Sequence, residues 1–158
     1  MKVLVIADSA YGNTWEVASA IADAFGNSAR AIRPPHVQVE DIAGLDLLIV
    51  GSPTQGGRPL PSITQCLRGL APDGLKGIAV AAFDTRVDAR QQSLPLRLLV
   101  NLIGYAAPKI GRELTSHGGR QVVPLEGFIV EGKEGPVRAG EIQRAADWAR
   151  RLQAAVPR

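Results

Sequence analysis

The sequence predicts an α/β protein with an open, mostly parallel β-sheet and helices on both of its faces. Two observations lead to this fold class. Continuous apolar runs rich in β-branched residues recur along the chain, as in residues 2–7 (Lys-Val-Leu-Val-Ile-Ala), and such runs are typical of strands buried on both faces. Stretches with apolar residues at helical spacing lie between them, and strands that alternate with helices favour a parallel sheet. The 158 residues suit one domain spanning residues 1–158.

The strands are predicted from these runs and from the turn residues that end them. The runs at 46–51 and 76–83 are as continuous as the first. The last strand contains Pro124, which lacks an amide donor, so we expect an edge or a bulge there. The five predicted strands are 2–7, 29–32, 46–51, 76–83 and 121–130.

The helices are predicted from periodicity. In the first, Val17, Ile21 and Phe25 recur at helical spacing before Gly26, a typical stop. The region 84–105 is the least regular, and we expect its leucine-rich segment 94–102 to be a core element, with a lid or a patch for a partner as the alternatives. The predicted helices are 14–25, 60–70, 106–117 and 139–154.

Composition and charge exclude several classes of protein. The single cysteine, Cys66, excludes an intrachain disulfide framework and is expected to be a small core residue. No run is long enough for a membrane span, and the first apolar run is too short for a signal peptide, so we expect a cytoplasmic protein. The net charge is +3, but no aromatic residues interleave with a basic cluster, so nucleic-acid binding is not expected.

The loop after the first strand, Ser9 to Thr14, is the strongest candidate for a binding site. Ligands of such sheets bind at the carboxyl ends of the strands. The loop is rich in hydroxyl groups, contains Gly12 and no cation, and leads into a helix whose N-terminus can hold a phosphate. The alternative is that Asn13 or Thr14 only caps the helix. The sequence lacks the glycine patterns of P-loop nucleotide hydrolases and dinucleotide-binding Rossmann domains.

Two further loops reach the same edge. After the third strand, Gly56-Gly57 permits positive φ and close approach to a flat ligand, although a plain turn would use the same residues. The loop that starts at Phe83 carries Asp84 and Arg86, which could contact a ligand or form only a local salt bridge.

These loops resemble those of the flavodoxin family. The motifs are Ser9-Ala-Tyr-Gly-Asn-Thr after the first strand and Gly51-Ser-Pro-Thr-Gln-Gly after the third. The resemblance covers essentially the whole chain. The tail from Gly127 to Val137 is similar to a poorly characterised branch of flavodoxin-domain proteins. The resemblance implies a three-layer sandwich with a five-stranded parallel sheet, and FMN as the cofactor.

The resemblance also implies which residues bind FMN. The phosphate loop would be Ser9, Ala10, Tyr11, Gly12, Asn13 and Thr14. The segment beside the flavin ring, in which the family flips a peptide toward N5, would be Pro53, Thr54, Gln55, Gly56 and Gly57. The segment at the pyrimidine edge would be Phe83, Asp84, Thr85 and Arg86, with Arg86 favouring the reduced, anionic ring.

The sequence departs from the family at three points, and three functional hypotheses are compatible with it. Gln55 and Arg86 stand where flavodoxins usually have stacking aromatics, Tyr11 replaces a threonine, and the pI of about 9.4 contrasts with acidic relatives. The first hypothesis is an FMN electron carrier that serves a redox partner protein or a small-molecule acceptor. The second is an FMN-dependent oxidoreductase acting on a quinone-like acceptor. The third is a binding or regulatory module that has lost the flavin, which the missing aromatics suggest. No oligomeric state is predicted.

Overall fold

One parallel sheet forms the centre of the structure, as the sequence predicts. The computed structural model describes residues 1–157. The strands are β1 (Val3–Ala7), β2 (Ala29–Ile32), β3 (Leu47–Pro53), β4 (Ala79–Val87), β5 (Arg120–Gln121) and β6 (Glu126–Val130). Their order is β2-β1-β3-β4, and β5 and β6 both pair with β4.

Helices cover both faces of this sheet and create two apolar cores. The helices are α1 (Asn13–Phe25), α2 (Val39–Ile42), α3 (Pro61–Arg68), α4 (Leu94–Ile103), α5 (Ala106–Ser116) and α6 (Glu141–Ala155). Because side chains alternate along a strand, Val3, Val5 and Ala7 face the core under α1 and α6, whereas Leu4 and Ile6 face the core under α3 and α5.

Three aromatic rings fill the first core. Phe83, Phe128 and Trp148 are buried and meet edge to face, with ring centroids 5.8 to 6.1 Å apart. In the second core Cys66 packs half-buried, and burial raises the pKa of its thiol.

The fifth predicted strand is interrupted around Pro124 and forms two separate strands, β5 and β6. β5 pairs with residues 79–80 of β4, and β6 pairs with residues 83–87. The prediction that β4 ends at Phe83 was wrong by four residues, because β6 continues the ladder alongside it. Thr85 and Arg86, predicted to lie in a loop, therefore belong to a strand.

The leucine-rich segment is not a core element, and that prediction was wrong. None of the ten residues of α4 is buried. Leu94, Leu98 and Leu102 are 66%, 61% and 85% exposed. The physical reason is that α1 and α6 cover one face of the sheet and α3 and α5 the other, so α4 lies beyond the end of β4.

Within residues 1–157, no helix has the length and apolarity needed to cross a bilayer. The same residues contain no cluster of His, Cys, Asp and Glu side chains able to hold a metal ion.

Candidate functional site

A cleft of about 510 Å³ opens at the carboxyl edge of the sheet. It lies where the β1–α1 loop, the β3–α3 loop and the end of β4 meet. Its lining residues are Ser9, Ala10, Tyr11, Asn13, Thr14, Pro53, Thr54, Gln55, Gly56, Thr85, Arg86, Val87, Val130 and Lys133. The three loops singled out by the sequence thus share one cleft.

The β1–α1 loop delivers hydrogen-bond donors to this cleft. Gly12, at φ 98°, is the residue before α1, and its N–H donates to the Ser9 hydroxyl at 2.8 Å. Ser9 accepts that bond, so its own hydroxyl proton is available to a ligand. No side chain caps α1, so the capping alternative for Asn13 and Thr14 was wrong. The N–H groups of the first turn lack intrahelical acceptors and favour an anion.

Asp8 holds the start of the β1–α1 loop in place. Its carboxylate accepts the Ser9 N–H at 2.8 Å, the Ser62 hydroxyl at 2.6 Å and the Arg33 guanidinium at 2.9 Å. Burial by itself would raise the pKa of Asp8, but these hydrogen bonds outweigh it and lower the pKa below its usual value. Asp8 therefore stays ionised and joins β1 to the start of α3.

Asn13 and Thr14 make contacts that the sequence did not predict. The Asn13 amide donates to the Glu134 carbonyl at 3.0 Å and so attaches the β6–α6 loop to the start of α1. The Thr14 and Thr85 hydroxyls lie 2.7 Å apart, and both residues are buried. One hydroxyl donates to the other, which leaves a single hydroxyl proton of the pair for a ligand.

Lys133 is a cleft residue that sequence reasoning missed. The β6–α6 loop carries it to the lining of the cleft, to which Ser9 and Tyr11 also contribute. It forms no ion pair within residues 1–157. The signal in the sequence was the Gly132-Lys-Glu-Gly135 segment of the tail, whose glycine at 135 leaves room for the Asn13 side chain.

The β3–α3 loop closes in a tight turn. Gln55 and Arg58 exchange two backbone hydrogen bonds of 2.9 and 3.0 Å around Gly56 and Gly57, whose φ values are 55° and 73°. Two successive positive φ values define a type I′ turn, which glycine adopts without strain. Thr54 anchors the loop, because its hydroxyl accepts the Ala106 N–H at 2.9 Å.

Arg86 lines the cleft, but its charge is matched by Asp84. The guanidinium makes two hydrogen bonds of 2.6 and 2.7 Å to the fully buried Asp84 carboxylate. That carboxylate also accepts the Ala107 N–H at 2.9 Å, at the start of α5. The other side of the guanidinium lies 3.6 Å from the centre of the Tyr105 ring. Arg86 therefore presents to the cleft a guanidinium whose charge is already matched by a buried carboxylate, rather than a lone cation.

Four of the candidate site residues do not line the cleft. Phe83 lies in the aromatic core, because its side chain points to the face of the sheet under α1 and α6. Asp84 is buried with Arg86 and α5. Gly12 forms the turn before α1, and Gly57 packs against Ile103 of α4. The other candidates all line the cleft.

Comparisons identify the fold. No family model matches the sequence, and no curated protein does. Among solved structures, a flavodoxin from the domain Archaea has a TM-score of 0.78 at 18% identity over 99% of both chains. Oxidised flavodoxin 1 from Bacillus cereus has a TM-score of 0.75 at 17% identity, over 99% of this chain and 100% of that one. Two-electron reduced Megasphaera elsdenii flavodoxin has a TM-score of 0.66 at 23% identity, over 94% of this chain and 98% of that one. The chain has the flavodoxin-like fold that its motifs predict.

Proposed function

We propose that this flavodoxin-like chain binds FMN in the cleft and works as an electron-transfer protein. The observation that carries the proposal is the β1–α1 loop. Ser9 and the first turn of α1 offer hydroxyl and N–H donors at the edge of the sheet where such folds bind ligands. Lys133 adds a positive charge to the lining of the same cleft.

The residues present fit FMN. The cleft volume of about 510 Å³ lies within the range of small-molecule sites. Neutral donors suit a phosphate because the helix N-terminus supplies the partial positive charge. Thr54, Gln55, Gly56 and Arg86 line the same cleft as the β1–α1 loop, so they are available to the rest of the ligand.

Bound FMN would supply redox chemistry with one or two electrons. The Bacillus and Megasphaera flavodoxins are described in an oxidised and a two-electron reduced form, which supports the same class of chemistry here. The protein's part is to bind and orient. The central peptide of the type I′ turn can rotate, because neither Gly56 nor Gly57 has a Cβ to resist rotation. The neutral Asp84–Arg86 pair presents guanidinium N–H groups beside Thr85.

The recipient of the electrons is a redox partner protein or a small-molecule acceptor, and no residue of the chain needs to act as a nucleophile. An electron carrier requires only that one edge of the ring remain reachable. The second hypothesis, turnover of a quinone-like acceptor, shares the same FMN site. The third, a module without flavin, predicts no FMN binding at all.

The test is FMN retention. We expect purified protein mixed with FMN to keep flavin absorbance in equimolar amount after gel filtration. Tyr11 belongs to the proposed phosphate loop, is 47% exposed and lines the cleft, so Tyr11→Glu brings a negative charge there without disturbing the core. FMN affinity should fall roughly fivefold below that of the matched Tyr11→Gln variant. Colourless wild-type protein would overturn the proposal in favour of the module without flavin.

A further inference from the structure

A second cavity, of about 310 Å³, lies between the β3–α3 loop and α4. It shares four lining residues with the cleft, namely Thr54, Gly56, Arg86 and Val87. The two spaces are therefore neighbours that open onto the same stretch of β4. A ligand whose phosphate sits at Ser9 reaches the second cavity by passing Thr54 and Arg86.

One side of α4 lines this second cavity with aliphatic side chains. Leu96, Leu99, Val100 and Ile103 all contribute to its wall, and their spacing of three, four and seven residues defines one helical stripe. We call these four residues the inner stripe. Leu94, Leu98 and Leu102 do not line the cavity and are the outer stripe.

The C-terminal end of α4 is attached to the β3–α3 loop. A Cβ on Gly57 would overlap the Ile103 side chain, so only glycine permits this approach. The Lys109 ammonium joins the two segments, because it donates to the Gly57 and Ile103 carbonyls. The inner stripe is thereby held opposite the loop that would run beside the flavin ring.

The remaining wall is flat and polar. The Arg86 guanidinium lies on the Tyr105 ring and is fixed by the buried Asp84, and both Arg86 and Tyr105 line the cavity. A slot between an aliphatic stripe and a flat wall suits a planar apolar group. A flavin ring has that shape, and the chain lacks the stacking aromatics in the β3–α3 loop.

We propose that the ring of FMN enters this second cavity and that the inner stripe of α4 covers it, so that aliphatic contact replaces aromatic stacking. The inference rests on the proposed function. It also accounts for a helix whose ten residues are all outside the core. The inner stripe is apolar because a ligand ring, and not the sheet, is its partner.

The test compares two adjacent leucines of α4. Leu99 belongs to the inner stripe and is 48% exposed, and Leu98 belongs to the outer stripe and is 61% exposed. Leu99→Asp and Leu98→Asp make the same chemical change in the middle of the same helix. Dissociation constants for FMN and for riboflavin, measured by flavin fluorescence, separate the ring from the phosphate. Circular dichroism checks that both variants fold.

We expect Leu99→Asp to lower the affinity for both flavins by about tenfold or more, because it places a carboxylate against the ring. Leu98→Asp should bind both flavins like wild type. Equal affinities in the two variants, whether both unchanged or both reduced, would overturn the inference while FMN binding itself stands. Failure of the wild-type protein to bind either flavin would instead overturn the proposed function, and the inference with it.

Discussion

At the scale of single residues, the two cations that line the cleft differ in what they can do for a ligand. Arg86 is paired with the buried Asp84, whereas Lys133 of the β6–α6 loop lines the cleft without an ion pair in residues 1–157. We expect Lys133→Met to lower FMN affinity by roughly fivefold, since an exposed ion pair contributes up to about 1 kcal/mol. Riboflavin, which has no phosphate, should bind as before. Calorimetric titration of both flavins measures the difference.

The matched control is Lys76→Met. Lys76 is exposed and lies before β4, at the opposite edge of the sheet. The Lys76→Met substitution changes the net charge by the same amount as Lys133→Met, so a loss of FMN affinity in both variants would mean that only the overall charge matters. Equal loss of FMN and riboflavin affinity in Lys133→Met would contradict a role in phosphate binding.

Asp84 is the residue whose removal should cost most stability. Its carboxylate holds Arg86 by two hydrogen bonds and also accepts the Ala107 N–H. Asp84→Asn leaves the guanidinium without its counter-charge, and breaking a buried pair costs about 3 kcal/mol. Urea unfolding measures this loss. Asp23→Asn, at an exposed position of α1, should change the free energy of unfolding by less than about 0.5 kcal/mol. A similar change in the two variants would show that the pair does not stabilise the fold.

At the scale of elements, α4 should be the least protected helix until a flavin binds. None of its residues is buried, and segments with few core contacts open at low free energy cost. We expect the amides of residues 94–103 to exchange with solvent quickly in the protein without FMN and more slowly after FMN is added. Hydrogen exchange read by mass spectrometry checks this. Unchanged exchange in this segment, with protection confined to the β1–α1 loop, would mean that α4 does not cover the ring.

The junction of β6 and α6 should make stability depend on pH. Glu141 accepts the Ile129 N–H at 2.7 Å and pairs with Arg144. The hydrogen bond from Arg144 and that from Ile129 together outweigh burial and lower the pKa of Glu141 below its ordinary 4.5. A lowered pKa means that the folded state favours the carboxylate. The stabilisation is therefore complete above pH 4.5 and disappears as the pH falls through the lowered value.

Glu141→Gln should consequently lower the free energy of unfolding by about 2 kcal/mol at neutral pH. The difference from wild type should shrink as the pH falls from the ordinary pKa toward the lowered one, because the unfolded wild-type chain takes up its proton first and the folded chain follows only at the lowered value. Urea unfolding over a pH series measures both. Glu40→Gln, at an exposed position on α2, serves as control and should leave the free energy of unfolding unchanged. If the difference between Glu141→Gln and wild type stayed constant with pH, the folded protein would not favour the Glu141 carboxylate over its protonated form.

The elements differ in how far the sequence could predict them. β1 and β3 follow from their apolar runs, because both faces of a central strand are buried and the pattern is local. The end of β4 does not, since its last residues are held by β6, about forty residues later in the chain. α4 has a core-like composition, but its position beyond the sheet is decided by the helices that already cover both faces.

The candidate site shows the same division. The β1–α1 and β3–α3 loops could be found because carboxyl ends of parallel strands share an edge. Lys133 could not, since it reaches the cleft through a contact between Asn13 and Glu134, 121 residues apart in sequence. The roles of Asp84 and Arg86 could not be predicted either, because a local salt bridge and a ligand contact use the same residue types.

At the scale of the whole molecule, a ligand that binds only the folded protein must stabilise all of it. FMN at a hundred times its dissociation constant should add about 2.7 kcal/mol. For a chain of 158 residues that corresponds to a rise in Tm of roughly 8 °C. Riboflavin at the same multiple of its own dissociation constant should give the same rise, which differential scanning calorimetry measures.

Salt distinguishes the two flavins in the same experiment. The part of the chain from residue 76 onward carries thirteen Lys and Arg against eight Asp and Glu, and it includes Lys133. Raising the salt concentration at fixed ligand concentration screens the attraction between this charge and the phosphate. The rise in Tm with FMN should therefore shrink, while that with riboflavin, whose ring contacts are apolar, should be kept. An equal decrease for both ligands would mean that the phosphate is not what the cations attract.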